Sequence, residues 1–285
     1  MDKADFNNGV NNYFSGDYKE ALKDLNKAVK QNPTDAEGYF YRGAVKADLE
    51  DYKNAIIDYN KAIDLNPNDA EFYCQRGEAK SELDDLKGSI EDFDTAIAMD
   101  SDFELAYFNR ALSKHQLEDF EGAINDMNEV LKLHPDYDEA YFVRGLSKNE
   151  SEDIIGAIVD YTKAIEINNC YSDAYHKRGL AKAEMKDYEG ALADYDEAID
   201  CDTDGDIDGY YVSRGMANQA LKNFEEAIED FDNALEINKE LEDAYFFRGL
   251  CYMHLGKLKD ALVDLKKAKK MGVPEADDFI KEFSK

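Results

Sequence analysis

The sequence is poor in positive charge for its length. Its 285 residues include 34 Lys and Arg against 64 Asp and Glu, which gives a formal net charge of −30. A surface this acidic repels a phosphate backbone and an anionic membrane, so we expect neither nucleic acid nor a membrane as a partner. Cations and basic proteins are the partners that electrostatics favours. The alternative interpretation is that the charge only keeps the protein soluble.

Segments for crossing a membrane or for secretion are also lacking. No apolar run approaches the roughly 18 residues of a membrane span, and the start, MDKADFNNGV, has no signal-peptide pattern. The few cysteines, Cys74, Cys170, Cys201 and Cys251, form no CxxC pair. We interpret them as isolated thiols in a reducing compartment and expect a cytoplasmic protein.

Catalytic patterns are lacking as well. The sequence contains no phosphate-binding glycine loop, no HExxH and no nucleophile elbow. The histidines, at positions 115, 134, 176 and 254, share no metal-ligand spacing. We therefore expect no enzyme activity and, apart from a candidate calcium loop, no cofactor.

The sequence does contain a 34-residue period. The phrase YKEALKDLNKAV near the start has relatives along the chain, such as YKNAIIDYNKAI and YEGALADYDEAI. A small residue in each copy follows the previous one by 34 positions, except for a step of 36 between Ala191 and Ala227. A second phrase, such as YFYRGAVKADLED, fills the other half of each period. Apolar and small residues recur in both phrases at three- and four-residue spacing, which predicts two helices per repeat.

These repeats resemble the tetratricopeptide repeat family. In the unit AEGYFYRGAVKADLEDYKNAIIDYNKAIDLNPN, the matching residues are Tyr39, Gly43, Tyr52, Ala55, Tyr59, Ala62 and Pro67. The resemblance implies an all-α fold, a right-handed α-solenoid of about eight helix-turn-helix repeats over residues 2–274. The expected repeats are 2–35, 36–69, 70–103, 104–137, 138–171, 172–207, 208–241 and 242–274. We expect a capping helix at 275–285, because Pro274 favours a helix start there.

The chain departs from the family pattern by carrying a fixed arginine on its first helices and a fixed aspartate on its second helices. This pattern predicts a structural ladder of partly buried Arg–Asp pairs that link helices. Its predicted members are Arg42, Asp58, Arg76, Asp92, Arg110, Asp126, Arg144, Asp160, Arg178, Asp194, Arg214, Asp230, Arg248 and Asp264.

The resemblance also implies that the first helices line a concave groove. The fifth and ninth positions of the repeats are mostly aromatic or aliphatic and lie four residues apart, on one helix face. The predicted partner-binding residues are Phe40, Phe108, Leu112, Phe142, Leu146, His176, Leu180, Phe246 and Leu250. Acidic residues flank them at the second position: Glu37, Glu71, Glu139, Asp173 and Asp243. The alternative is that the apolar side chains pack between neighbouring first helices.

Together these residues predict a protein–protein interaction scaffold or adaptor. Its partner would be a protein or peptide segment with apolar anchors and basic flanks. Two other functions stay open, namely a chaperone or secretion-type holder of partly unfolded clients and a calcium-responsive structural module. Self-association through the groove is a further alternative.

The stretch DCDTDGDIDGYY contains the two extra residues and is similar to a calcium-binding loop. Alternating aspartates match the oxygen ligands of such a loop, but Tyr211 stands where a bidentate glutamate belongs. A weak calcium site and a purely acidic linker are therefore both open. The candidate ligands are Asp200, Asp202, Asp204, Asp206 and Asp208.

Overall fold

The computed structural model describes residues 4–202 and 207–282, and within these ranges all regular structure is α-helical. No helix in the described ranges is both long and apolar enough to cross a membrane. The helices form two compact units, Met1–Asp136 and Tyr137–Lys285, which we call unit 1 and unit 2.

Each unit is a succession of helical hairpins. Unit 1 contains α1 (Ala4–Phe14), α2 (Tyr18–Gln31), α3 (Ala36–Asp48), α4 (Tyr52–Leu65), α5 (Ala70–Ser81), α6 (Leu86–Met99), α7 (Glu104–Gln116) and α8 (Phe120–Leu133). Unit 2 contains α9 (Asp138–Glu150), α10 (Ile154–Ile167), α11 (Ser172–Glu184), α12 (Tyr188–Cys201), α13 (Asp208–Ala220), α14 (Phe224–Ile237), α15 (Glu242–His254), α16 (Leu258–Met271) and α17 (Ala276–Glu282). Odd-numbered helices up to α15 are the first helices of their hairpins.

An aspartate starts many of the second helices. The Asp85 carboxylate accepts a hydrogen bond from the Gly88 N–H at 3.1 Å, which satisfies one of the amides that the first turn of α6 leaves unpaired. The same cap occurs at Asp119, Asp153 and Asp187. The residue before each cap has a left-handed backbone. It is Gly16 in the first hairpin but a larger residue in the next, Glu50, with φ of 60°.

Small residues on the first helices allow close crossings with rings on the second helices. A Cβ atom on Gly179 would lie 2.6 Å from Cε1 of Tyr195, which is closer than any normal contact. Tyr195 is almost fully buried, as are Tyr59, Tyr161, Phe93 and Phe231 at the same place in other hairpins. The core therefore repeats along the chain as one large ring per crossing in most repeats.

The C-terminal helix α17 covers the apolar end of the last hairpin. Val273 and Ala276 are buried, and the Phe279 ring lies 5.9 Å from the ring of Phe246. Lys269 on α16 forms an ion pair with Asp277. Such a cover removes apolar surface that the end of a repeat stack otherwise exposes.

Candidate functional site

The predicted Arg and Asp positions lie against each other across each hairpin. Arg42 donates from Nε and Nη2 to the two carboxylate oxygens of Asp58 at 2.8 and 2.5 Å. Lys46 adds a contact of 2.6 Å to the same carboxylate, which is almost completely buried. The other pairs are Arg76–Asp92, Arg110–Asp126, Arg144–Asp160, Arg178–Asp194, Arg214–Asp230 and Arg248–Asp264.

Each ladder arginine for which the contact is described also reaches the preceding hairpin. Arg110 donates from Nη1 to Asp94 on α6 at 2.6 Å, and its guanidinium lies 5.3 Å from the centre of the Tyr107 ring. The equivalent contacts are Arg42–Asn26, Arg76–Asn60, Arg178–Thr162, Arg214–Asp196 and Arg248–Asp232. This second link was missed at the sequence level. Its signal is a polar residue two places after each ladder aspartate.

The ladder neutralises much of the basic charge of the first helices. Lysines four places after the ladder arginines contact the same buried aspartates, as Lys80 does with Asp92 at 2.8 Å. The others are Lys46, Lys114, Lys148 and Lys182. Paired inside the fold, these cations do not balance the acidic side chains that face solvent. The ladder contacts therefore link helices within the fold and leave the exposed faces with a surplus of negative charge.

The predicted partner-binding residues differ widely in exposure. Phe40 is 6% exposed and stacks on Phe72 with ring centres 4.8 Å apart, and Phe108 is 7% exposed. Both rings belong to the core, so for them the packing alternative fits the contacts and the groove assignment does not. Phe40 is buried because the large side chain of Phe72 on α5 lies against it.

The remaining residues are more open. Leu112 and Leu180 are exposed, at 36% and 40%. Phe142, Leu146, His176, Phe246 and Leu250 are partly buried. Met216 shares the ninth repeat position with Leu180 and is 43% exposed, although it is not among the predicted site residues. We call Leu146, Leu180, Met216 and Leu250, on successive first helices of unit 2, the apolar row.

His176 lies beside the apolar row in a polar cluster. Its Nε2 is 2.9 Å from Ser213 Oγ, and its ring centre is 4.5 Å from that of Tyr210. The Tyr210 hydroxyl donates to Asp173 at 3.1 Å. Burial lowers the pKa of His176 to about 4, so the imidazole is neutral near pH 7. This cluster ties α11 to α13 without adding positive charge.

Unit 1 has a cleft of about 470 Å³ between α5 and α7, which we call the acidic cleft. Its lining residues are Glu78, Ser81, Glu82, Asp84, Asn109, Leu112, Ser113 and Gln116. Glu78 and Glu82 also line a smaller cleft with Asp48 on α3. Burial raises the pKa of Glu78, and the nearby carboxylates of Glu82 and Asp48 add to the shift. A cation placed here would relieve that repulsion.

The calcium prediction falls partly outside the described residues. Asp204 and Asp206 lie in the undescribed range 203–206. Asp208 accepts a hydrogen bond from the Asn238 side chain at 2.9 Å, and the described residues include no cluster of metal-ligating side chains. The calcium site stays a prediction.

The structure corrects the interpretation of all the cysteines as isolated thiols. Cys170 and Cys201 form a disulfide, while Cys74 and Cys251 are free and buried. Cys170 precedes the start of α11 and Cys201 ends α12. These two ends of an antiparallel hairpin lie side by side, so the repeat pattern itself contained the signal for this pair.

The chain matches three family models. A model described as TPR repeat matches residues 13–49 and 45–84. Two models described as tetratricopeptide repeat match 70–103, 105–137 and 172–204, and 212–271. No curated protein gives a significant match.

Several solved structures are similar. The C-terminal part of a TPR repeat-containing protein from Cytophaga hutchinsonii has a TM-score of 0.70 at 15% identity, over 84% of this chain and 97% of its own. A tetratricopeptide repeat protein from Parabacteroides merdae has a TM-score of 0.64 at 18% identity, over 87% and 98%. YrrB, described as a TPR protein with an unusual peptide-binding site, has a TM-score of 0.56 at 21% identity, over 70% and 97%. At these identities the likeness shows the fold. Together with the matched models, it shows that the chain belongs to the tetratricopeptide repeat family.

Proposed function

We propose that this protein is a scaffold or adaptor that holds a segment of a partner protein on the exposed faces of its first helices. Members of the family generally mediate protein–protein interactions, and the fold is in general a non-enzymatic interaction scaffold. The partner segment carries apolar anchors and basic residues. The apolar anchors contact the apolar row of unit 2, and basic residues are attracted to the acidic side chains.

The apolar row carries this proposal. Leu180 and Met216 keep about two fifths of their surface in solvent. Leu146 and Leu250, at the same repeat position, are partly buried. α9, α11, α13 and α15 contact one another in succession, so the same repeat position of each helix lies next to that of the following first helix. An apolar line of this kind is unfavourable in water, and a partner side chain that covers it gains the corresponding burial free energy.

Acidic residues accompany the row on the same helix face. Glu139, Asp173 and Asp243 precede row residues by seven positions, which is close to two helical turns. All three are exposed. A segment that alternates leucine or phenylalanine with lysine or arginine therefore matches both the row and its flanks.

Unit 1 by itself also favours a basic side chain, at the acidic cleft. Among the described residues, no lysine or arginine forms an ion pair with Glu78 or Glu82, and the pKa of Glu78 is already raised. A lysine side chain of a partner would supply the missing positive charge. The apolar wall that Leu112 provides suits the methylene stem of such a side chain.

A peptide array tests the proposal. We expect the wild-type chain to select short peptides that combine leucine or phenylalanine with lysine or arginine, and the double variant L180S/M216S to lose this selection. The matched control is I155S/V159S, which removes two exposed apolar residues from the second helix α10 of the same unit. Circular dichroism verifies that both variants fold.

Each outcome of the array has a defined meaning. Equal binding by the two double variants would refute the apolar row as the anchor site. Suppression of aggregation of many unrelated unfolded proteins, without sequence selection, would favour the client holder. Selection that requires added calcium would favour the calcium-responsive module.

A further inference from the structure

The disulfide closes one particular hairpin of unit 2. Cys170 and Cys201 are 31 residues apart in the sequence, and their Cα atoms are 5.2 Å apart. This spacing is within the range that a disulfide requires. The bond joins the loop before α11 to the last residue of α12, so it fastens the open end of the α11–α12 hairpin.

These two cysteines are the accessible ones of the chain. Cys170 is exposed and Cys201 is partly exposed. Cys74 and Cys251 are buried, and burial raises the pKa of each thiol to about 12. A thiol that neither ionises nor meets solvent does not take part in exchange reactions. Thiol chemistry of this protein is therefore concentrated at the end of one hairpin.

The disulfide stands in a loop that has no proline. Three of the loops between hairpins carry a proline, Pro33, Pro67 or Pro135, whereas the loop at 100–103 has none and the loop at Cys170 reads Asn-Asn-Cys-Tyr. Proline restricts a loop permanently, because its ring fixes one backbone angle. A disulfide restricts the loop only while it is oxidised. The chain thus has a reversible restraint at a place where three other repeats have a permanent one.

The restrained loop leads directly into the face that carries the apolar row. Tyr171 follows Cys170, and its ring packs on Phe142 of α9 with centres 5.0 Å apart. Asp173, in the first turn of α11, accepts the hydrogen bond from Tyr210. Two contacts that hold α11 against its neighbours therefore begin within three residues of the disulfide.

We propose that Cys170 and Cys201 form a dithiol–disulfide switch that sets the affinity of the apolar row for its partner segment. This inference rests on the proposed function of the row. A dithiol reductant attacks one sulfur, which breaks the S–S bond, forms a mixed disulfide and releases the first cysteine as a thiolate. The second thiolate of the reductant then displaces the other cysteine, and the reductant leaves as a disulfide. In the oxidised protein the first turn of α11 is held, and the row is ordered for binding. In the reduced protein that turn opens, and binding must order it again.

The experiment compares the oxidised chain, the chain reduced with dithiothreitol, and the double variant C170S/C201S. Thiol counting after denaturation verifies the states, with two free thiols expected when oxidised and four when reduced. Hydrogen exchange of the amides at 171–177 reports on the first turn of α11. The binding probe is a fluorescent peptide that alternates leucine and lysine.

We expect reduction to accelerate exchange at 171–177 by about a hundredfold, the order expected when a cross-link of this span is removed. We expect peptide affinity to fall by about tenfold, because binding must then immobilise additional side chains. The double variant should behave like the reduced chain, and the reductant should not change it. Reoxidation with oxidised glutathione should restore both readouts.

Three results would overturn the inference. The first is four free thiols after oxidation, which means that the pair does not form. The second is unchanged exchange and unchanged affinity in a chain verified as reduced. The third is an effect of dithiothreitol on C170S/C201S. If no peptide binds either form, the proposed function of the row fails, and the exchange readout still decides whether the disulfide orders α11.

Discussion

Unit 1 and unit 2 share a framework and differ in the faces they expose. Both contain the same Arg–Asp ladder, with Arg76 and Asp92 in unit 1 arranged as Arg178 and Asp194 are in unit 2. One ninth repeat position differs in charge, because α5 of unit 1 has Glu78 whereas every first helix of unit 2 has an apolar residue there, such as Leu180. The units also differ in the loops between hairpins, three of which carry a proline in unit 1 whereas one in unit 2 carries the disulfide.

This difference separates what maintains the fold from what can vary. The ladder and the small residues at helix crossings recur in both units, because in every hairpin the two helices pack against each other and against the next hairpin in the same way. The ninth positions Glu78 and Leu180 are exposed, so the charge there can change without loss of the fold. We therefore expect residues that differ between the units to determine binding, and residues that both units share to determine stability.

The largest expected effect comes from breaking the shared framework. We expect D92A in unit 1 and D194A in unit 2 each to lower the free energy of unfolding by about 3–5 kcal/mol, because an arginine and a lysine lose their buried partner. Urea denaturation followed by circular dichroism measures both.

The matched control for the ladder is D94N. Asp94 contacts Arg110 from the solvent side and is 56% exposed, so we expect its loss to cost less than about 1 kcal/mol. A loss from D94N as large as that from D92A would show that burial of the carboxylate does not determine the energetics of the ladder.

Substitution of the glycines at close helix crossings should give the next largest loss of stability, again in both units. A Cβ atom at Gly77 would lie 2.8 Å from Phe93, and one at Gly179 would lie 2.6 Å from Tyr195. We expect G77A and G179A each to cost about 1–3 kcal/mol, because the rings must move in a packed core. Thermal and urea unfolding provide the measurement.

G209A is the control for the crossings. Nothing lies within 4 Å of the Cβ that this change adds to the first turn of α13. We therefore expect a gain of about 0.5 kcal/mol from the reduced freedom of the unfolded chain. A gain at Gly179 as well would mean that the crossing tolerates a methyl group.

Substitutions on the exposed faces should affect peptide binding differently in the two units. We expect L180E to weaken binding of the leucine–lysine peptide by at least tenfold, about 1.4 kcal/mol, while the free energy of unfolding stays nearly constant. The reciprocal change E78L in unit 1 removes a carboxylate of the acidic cleft and should reduce only the salt-dependent binding to unit 1. Peptide titrations at low and high salt distinguish the two. Equal effects of L180E and E78L would contradict the proposal that the two units expose different binding faces.

The sequence predicts the framework well because the repeat places each ladder residue in a fixed register. Arg110 and Asp126 are visible as a pattern, but the contact of Arg110 with Asp94 requires the geometry of the neighbouring hairpin. Exposure also depends on neighbours. Phe40 is buried because Phe72 stacks on it, whereas Leu180 stays open at an equally apolar position. Periodicity identifies a face, but side-chain volume on the adjacent helix decides what remains exposed there.

The smallest expected effect concerns one ladder site of unit 2 that lacks its lysine. Asn218 occupies the lysine position and donates to Asp230 at 2.9 Å. Burial raises the pKa of Asp230, in spite of the opposing contacts from Arg214 and Asn218. An acid with a raised folded pKa holds its proton more tightly in the folded state. The stability that Asp230 contributes through this proton is therefore greatest below its ordinary pKa of about 3.9. It is lost as the pH rises through the pKa of Asp230 in the folded protein.

N218K should make this site resemble those of unit 1, where a lysine contacts the aspartate at 2.6–2.8 Å. We expect a gain of less than about 1 kcal/mol at neutral pH, because desolvation of the lysine offsets part of the attraction. We also expect the gain to shrink as the pH falls toward the ordinary pKa of aspartate, since protonation removes the charge that the lysine pairs with. Urea midpoints of N218K and wild type, measured across the acidic range, give this difference. A gain that does not change with pH would mean that the lysine stabilises the helix by some route other than Asp230.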